Sequence, residues 1–361
     1  IPLLADSKLP MTILDKKSDN IKSKKLVLFN THGSGHYLVD YKDADTKSEL
    51  AEAIANQKIP AEGRIIRLND MILLARKGNG SLVDALDIVK NCPDEPRDAV
   101  WGIMGRVIGL ARMLSEGNLQ IEQAIKDFRK KLAVKKYKQL GWDRRPEDTS
   151  NDVLLRQTIL GIMLASETED VVKEALDRYH KTKDIEGLPA ELRTIILTAV
   201  VRLGKPEEID KLMDIYQSSS NPDIQHSICS AVTDVRDAAL AQHIINRSIA
   251  QDGFVRPQDI MRWYAYMMRN PHSRDAAWKW LVNDWDRLEK VFGSSKTMDY
   301  MPVYAAGPLS TTEWEKKYKD FFTPLLSHIA LNRNIKVGFS EIEARVAWRK
   351  REEPKLKKYF Q

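Results

Sequence analysis

Apolar residues recur three and four positions apart along most of this chain, and that spacing predicts α-helices from about residue 46 to the C-terminus. In "LRTIILTAVVRLG", Leu192, Ile195, Ile196, Ala199 and Leu203 share one stripe. The stripe stops at Gly204 with Pro206 just beyond, because proline cannot continue a helical hydrogen-bond ladder. "DIMRWYAYMMRNP" repeats the logic, with Ile260, Trp263, Tyr264, Met267 and Met268 on one face and Asn270-Pro271 closing it. "AWKWLVNDWDRLEKVFG" spaces Trp278, Leu281, Trp285, Leu288 and Phe292 along a single helix that ends before Gly293. Each helix is expected to be amphipathic, with one face buried.

The first 45 residues have a different texture. "IPLLA", "MTILD", "KLVLFN" and "GHYLVDY" are short, β-rich or alternating, and separated by polar or glycine-containing turns. Tyr37, Val39 and Tyr41 fall on one face of the last of them. Four short strands cannot bury both faces of a sheet. Residues 1–45 are therefore expected to be a partial β-sandwich that has lost its other strands or packs on a neighbour. Its open edge is expected to support weak self-association.

Amphipathic helices joined by short connections over residues 46–361 are too many for one globular bundle. Stacked helical hairpins curling into an α-α superhelix are the expected solution. With no strict sequence period, the repeat is expected to be degenerate, in the style of HEAT or armadillo arrays. The fold class is thus mostly α, in two domains: 1–45, the partial sandwich, and 46–361, the superhelix with its concave surface.

Composition narrows the function without naming it. Apolar residues make up 43% and charged residues 30% of 361, as in a folded soluble protein. The net charge of +6 is spread among many residues of both signs, so no nucleic-acid partner is expected, and capture of acidic polymers ranks last among the readings. Cys92 and Cys229 lie far apart with no CxxC partner, which points away from disulfides and structural zinc and towards a reducing, cytoplasmic setting. No apolar run is long enough to cross a bilayer, and no secretory signal opens the chain. It begins at Ile1 rather than methionine, which suggests a piece of something longer.

Candidate chemistry is sparse. In "NTHGSGHYLVDY", His32 and His36 have the spacing of a helical metal pair, but Gly33 and Gly35 disfavour a helix, and no glutamate completes HExxH. Ser34 is not in G-x-S-x-G, and Leu38 takes the last position of G-x-G-x-x-G. A glycine-relaxed β-hairpin turn is what remains. Gly204-Lys205 lacks the upstream glycine of a P-loop. His180, His226, His243, His272 and His328 are scattered singly and read as surface or lightly buried imidazoles. "WRKREEPKLKKYF" reads as a solvated helix end, and "AWKWLVNDW" as a packing seam. No catalytic residue and no metal ligand is assigned.

Five segments in order carry a resemblance: "GSGHYLVDYK", "RIIRLNDMILLARKGNGSLVDALDIV", "LGWDRRPEDTSNDVLLRQTIL", "VRPQD" and "NPHSRDAAWKWLVNDWDRLEKVFG". Together they resemble the C-terminal part of zinc aminopeptidases of the gluzincin type, in particular the cytosolic puromycin-sensitive branch and more distantly the endoplasmic-reticulum and neutral enzymes. The resemblance implies a strand that closes a small β-sandwich, followed by a helical superhelix. It also implies that the domain carrying HExxH and zinc lies upstream, outside this chain. No cofactor is then expected here, and the chain alone is expected to be inactive.

In that family the helical domain encloses the peptide cavity together with the catalytic domain, so the implied partner is a peptide substrate. A peptide's terminal carboxylate needs a hydrogen-bonding cation once it leaves water. Arg269, before Asn-Pro, and Arg112, on an earlier helix, match positions that contact peptide C-termini in relatives. The aromatic that accompanies the earlier cation is Ala111 here. A surface ion pair is the other reading of both arginines, and a stand-alone helical scaffold for a protein partner is the other reading of the chain.

Overall fold

The computed structural model describes residues 2–3, 12–13, 26–30, 33, 35–292 and 296–361, and among them the chain is mostly helical. The N-terminal residues contribute a two-residue antiparallel ladder, β1 (Pro2–Leu3) with β2 (Thr12–Ile13), in which Pro2 faces Ile13. Much of the expected partial sandwich, with Thr31, His32 and Ser34 of the turn, lies outside the described residues.

The expected hairpin between "KLVLFN" and "GHYLVDY" is replaced by side-chain pairing. The Tyr41 hydroxyl donates to the carbonyl of Val27 (3.0 Å) and accepts from the amide of Phe29 (3.4 Å), where a partner strand's backbone would otherwise stand. Asn30 closes the turn from both sides. Its Oδ1 accepts from the Gly35 amide (2.8 Å), and its Nδ2 donates to the Gly35 carbonyl (3.0 Å). The φ of +68° at Gly33 favours glycine here, and a Cβ would come within 2.9 Å of the Ile66 Cδ1.

The described residues fall into two compact units, residues up to Ser166 together with Trp348–Gln361, and Glu167–Ala347. The first holds α1 (Ala44–Ala55), α2 (Ala61–Lys77), α3 (Leu82–Val89), α4 (Asp98–Leu114), α5 (Leu119–Leu140) and α6 (Ser150–Ala165). Local chemistry sets several starts. Asp43 accepts from the Thr46 amide, Asn118 from that of Ile121, and Thr149 and Asp152 form a reciprocal capping box. Helix α4 packs against α2, α3, α5 and α6, which is why Trp101, Met104 and Val107 are wholly buried.

The second unit holds α7 (Glu169–Lys181), α8 (Ala190–Arg202), α9 (Pro206–Ser218), α10 (Pro222–Val232), α11 (Ala238–Arg247) and α12 (Pro257–Arg269). It continues with α13 (Arg274–Asn283), α14 (Trp285–Phe292), α15 (Lys296–Asp299), α16 (Met301–Ala306) and α17 (Thr312–Phe322). The last helix, α18 (Ile329–Phe360), contributes residues to both units.

Three periodicity readings are corrected. Helix α8 is not one-sided: Ile195 to Val201 form an unbroken buried run, because α7, α9 and α10 all pack on it. Leu203, assigned to its stripe, is exposed at the C-cap. Pro206 opens α9 at its first turn, where its missing N–H costs nothing. The helix expected over "AWKWLVNDWDRLEKVFG" is broken at Asp284 into α13 and α14. Arg287 holds that joint, donating to Asp284 and to the Ile249 carbonyl (2.7 Å). A one-residue break leaves the three-four spacing intact, so the pattern does not register it.

The Trp-rich seam is core, as expected: Trp278, Trp280 and Trp285 are buried, and Trp278 and Trp285 both meet the rings of Phe321 and Phe322. The basic C-terminal run is not a solvated end. Trp348, Glu352 and Leu356, four apart, are buried along one face of α18.

Candidate functional site

Arg269 ends α12, and its surroundings explain why its guanidinium is available. The last carbonyls of a helix need donors. Here buried side chains supply them: Ser273 Oγ donates to the carbonyl of Met267 (2.8 Å) and Arg274 Nε to that of Met268 (2.8 Å). Asn270, also buried, donates through Nδ2 to the carbonyls of Thr233 (3.0 Å) and Val235 (2.6 Å) and accepts from the His272 amide (3.0 Å). Arg269 is left exposed over the Tyr266 ring, 5.9 Å from its centroid. The Tyr266 hydroxyl in turn lies 3.4 Å from His226 Nε2. Arg269 makes no ion pair among the described residues.

This clamp makes a prediction. Asn270→Ala removes two donors and one acceptor from a buried turn, and is expected to cost about 2–3 kcal/mol. Chemical denaturation is the check, and a loss below about 0.5 kcal/mol rejects the clamp.

Arg112 stands in the last turn of α4, exposed, and also lacks an ion-pair partner among the described residues. Its carbonyl accepts from the Ser115 amide, while the buried Ser115 hydroxyl donates to Ala111 (2.7 Å). Ala111 is fully buried, so the neighbouring position faces the core. Arg112 belongs to the first unit and Arg269 to the second.

His180, His226, His243, His272 and His328 are all exposed, in keeping with the surface or lightly buried state read from the sequence, and His36 of the turn is exposed too. Burial pushes the Cys92 thiol up to about 12 and raises that of Cys229 well above its usual range, so neither supplies a thiolate at neutral pH. Among the described residues, no three His, Cys, Asp or Glu side chains gather as a metal-holding group. No helix among them is long and apolar enough to cross a membrane.

Sequence reasoning missed a buried polar cluster on α2. Arg67 and Asp70 are each 3% exposed and 3.3 Å apart. Asp70 Oδ2 accepts from the Val39 amide (3.3 Å), which fastens the segment after the Asn30 turn to α2. Burial raises the Asp70 carboxyl above the usual range, with Arg67 opposing it, and burial likewise raises the Tyr41 phenol. The available signal was two opposite charges three residues apart beside Leu68 and Ile72, on the helix's buried side.

Residues 26–344 match the family model described as ERAP1-like C-terminal domain, and the chain belongs to that family. It is 28% identical over 325 residues to Aminopeptidase N of Lactococcus lactis subsp. cremoris, covering 90% of this chain and 38% of that protein. It is 28% identical over 355 residues to Aminopeptidase N of Lactobacillus helveticus, covering 96% and 42%. Aminopeptidase 2, mitochondrial, of Saccharomyces cerevisiae is 23% identical over 355 residues, covering 96% and 37%. The chain thus spans about two fifths of the length of these relatives. The resemblance read from the five segments is borne out.

Proposed function

We propose that this chain is the noncatalytic C-terminal portion of a zinc aminopeptidase, where it shapes the peptide cavity and its closure. The observation that carries the reading is the family match over residues 26–344, together with aminopeptidase relatives that extend well beyond the stretch they share with this chain. In this reading residues 1–45 are the end of a β-sandwich domain, and residues 46–361 form a HEAT-like superhelix. In this reading the metal and the peptide-cleaving step belong to polypeptide outside this chain. Arg269, in the second unit, and Arg112, in the first, are each an anchor candidate for a peptide's terminal carboxylate, because each offers a planar fork of donors free of a competing carboxylate.

Two measurements test this. The purified chain, supplied with zinc and an aminoacyl-arylamide, is expected to show no saturable turnover; turnover that survives removal of trace peptidases overturns the noncatalytic assignment. A fluorescent nonapeptide with a free C-terminus is expected to bind about tenfold more tightly than its C-terminal amide, as loss of a charge-assisted hydrogen bond implies. Arg269→Ala and Arg112→Ala are expected to erase that difference. Equal binding of acid and amide by the unaltered chain rejects the anchors, and a protein partner captured with no peptide affinity favours the scaffold reading.

A further inference from the structure

Among the described residues, most buried guanidinium groups make at least one short contact to an oxygen. Arg64 donates to the Ile59 carbonyl at 2.6 Å and to Glu95 at 2.7 Å. Arg193 reaches the Ile185 carbonyl at 2.9 Å, Arg274 that of Met268 at 2.8 Å, and Arg345 that of Ala306 at 2.7 Å. Arg156 pairs closely with Asp148. Each of these fastens a chain reversal or helix end through at least one short bond, although the Arg64 Nε has no partner.

Arg67 differs. Its contacts are long, 3.3 Å to Asp70 and 3.5 Å to the Asn30 carbonyl, and its Nη1 has no hydrogen-bond partner. A buried cation held so loosely has lost its hydration without regaining equivalent oxygen contacts. Arg67 also lines a cavity of about 380 Å³ in the first unit, between residues 39–41 and helices α1, α2 and α3. That volume falls in the range of small-molecule sites. Its apolar wall includes Leu50, Met71, Leu74 and Ile88.

The charges at its rim are largely spoken for. Asp40 pairs with Lys42 and Asp87 with Lys90, while Lys47 makes no ion pair among the described residues. Asp84 lies in the first turn of α3, where the helix dipole favours its negative charge. What is missing is an acceptor for the Arg67 Nη1.

We infer that this cavity binds an amphipathic monocarboxylate, its carboxylate on Arg67 and its apolar body against Leu50, Met71, Leu74 and Ile88. Arg67 supplies a cationic fork in a water-poor setting, which favours a carboxylate over a neutral amide of the same shape. The site is separate from Arg269 and Arg112 and does not depend on the aminopeptidase reading.

The test is calorimetric titration of the full chain with N-acetyl-leucine and with N-acetyl-leucine amide. The acid is expected to bind saturably in the millimolar range or below and the amide at least about tenfold more weakly. Arg67→Gln is expected to abolish the preference. Because that variant removes a buried ion-pair partner and can unfold the unit, Ser48→Trp is the second: it fills the mouth from an exposed position on α1, keeps Arg67, and is expected to weaken the acid about tenfold. Arg269→Ala and Arg112→Ala are expected to leave this binding unchanged, which separates it from the peptide anchors. Acid and amide binding alike, no saturable heat, or full binding by folded Ser48→Trp overturns the proposal.

Discussion

Gly338→Ala is expected to destabilise the second unit by about 2–3 kcal/mol, although alanine is the better helix former. Gly338 lies inside α18, where helix propensity alone predicts a gain of about 1 kcal/mol. Packing opposes it. A Cβ at this position would stand 2.0 Å from the Tyr318 hydroxyl oxygen and 2.7 Å from its Cζ. Tyr318 cannot swing aside cheaply. It is fully buried, its ring lies 4.5 Å from that of Phe322 and 5.8 Å from that of Phe339, and its hydroxyl donates to the Pro302 carbonyl at 2.9 Å. Moving the ring overpacks an aromatic cluster, at about 1–3 kcal/mol, and strips a buried carbonyl of its donor, at about 1–3 more. Urea denaturation measures the balance. In a Tyr318→Phe background the nearest clash is gone, so the same substitution is expected to cost less there. A stabilised Gly338→Ala protein refutes the packing account.

Glu352→Ala is expected to cost the first unit about 2–4 kcal/mol. The Glu352 carboxylate is fully buried. One oxygen accepts from Ser81 Oγ (2.7 Å) and from the Leu82 amide (2.9 Å), and the other from Lys355 Nζ (2.9 Å). It therefore caps the N-terminus of α3 from 270 positions away, adding an anionic oxygen where the helix's free amides and its dipole favour one. Lys355 is half exposed and regains water when the carboxylate goes, whereas the Leu82 amide does not. Glu352→Gln keeps an acceptor in place and is expected to lose about half as much. Hydrogen exchange is the sharper readout, because the fastest new exchange is expected in α3. Deleting residues 348–361 also removes the buried Trp348 and Leu356, and is expected to leave the first unit without a cooperative transition. A Glu352→Ala loss under about 1 kcal/mol, with α3 still protected, contradicts the capping role.

These two positions show where reading the chain in order stops. The apolar spacing in "DIMRWYAYMMRNP" places α12 and its buried face correctly, because a helix face depends only on residues three and four apart. The Trp-rich seam was legible for the same reason. The five dispersed segments sufficed for the family, since ordered matches along one chain need no coordinates. Gly338 and Glu352 were illegible by contrast. One looks like a weak point in a helix and the other like one more charge in a basic run, and only Tyr318 and Ser81, brought in from elsewhere in the chain, give them their roles.

The candidate sites divide along the same line. Arg269 and Arg112 were placed by residue-by-residue resemblance, and the fold adds the reason their guanidinium groups are free: buried neighbours such as Ser273, Arg274 and Ser115 already serve the helix-end carbonyls. Arg67 had no such signal. Its charge suggests a solvated side chain, and its burial comes from the segment that Asn30, Val39 and Tyr41 lay across α2. The hairpin expectation failed there because side chains took over hydrogen bonds that a period-two pattern assigns to backbone. By itself, then, the sequence determined helix content, most core faces and family, all set by local spacing and motif order. Tertiary structure alone decided which helix is enclosed on every side, which charges are buried and which of their N–H groups go unsatisfied, because those depend on contacts between residues far apart in the chain.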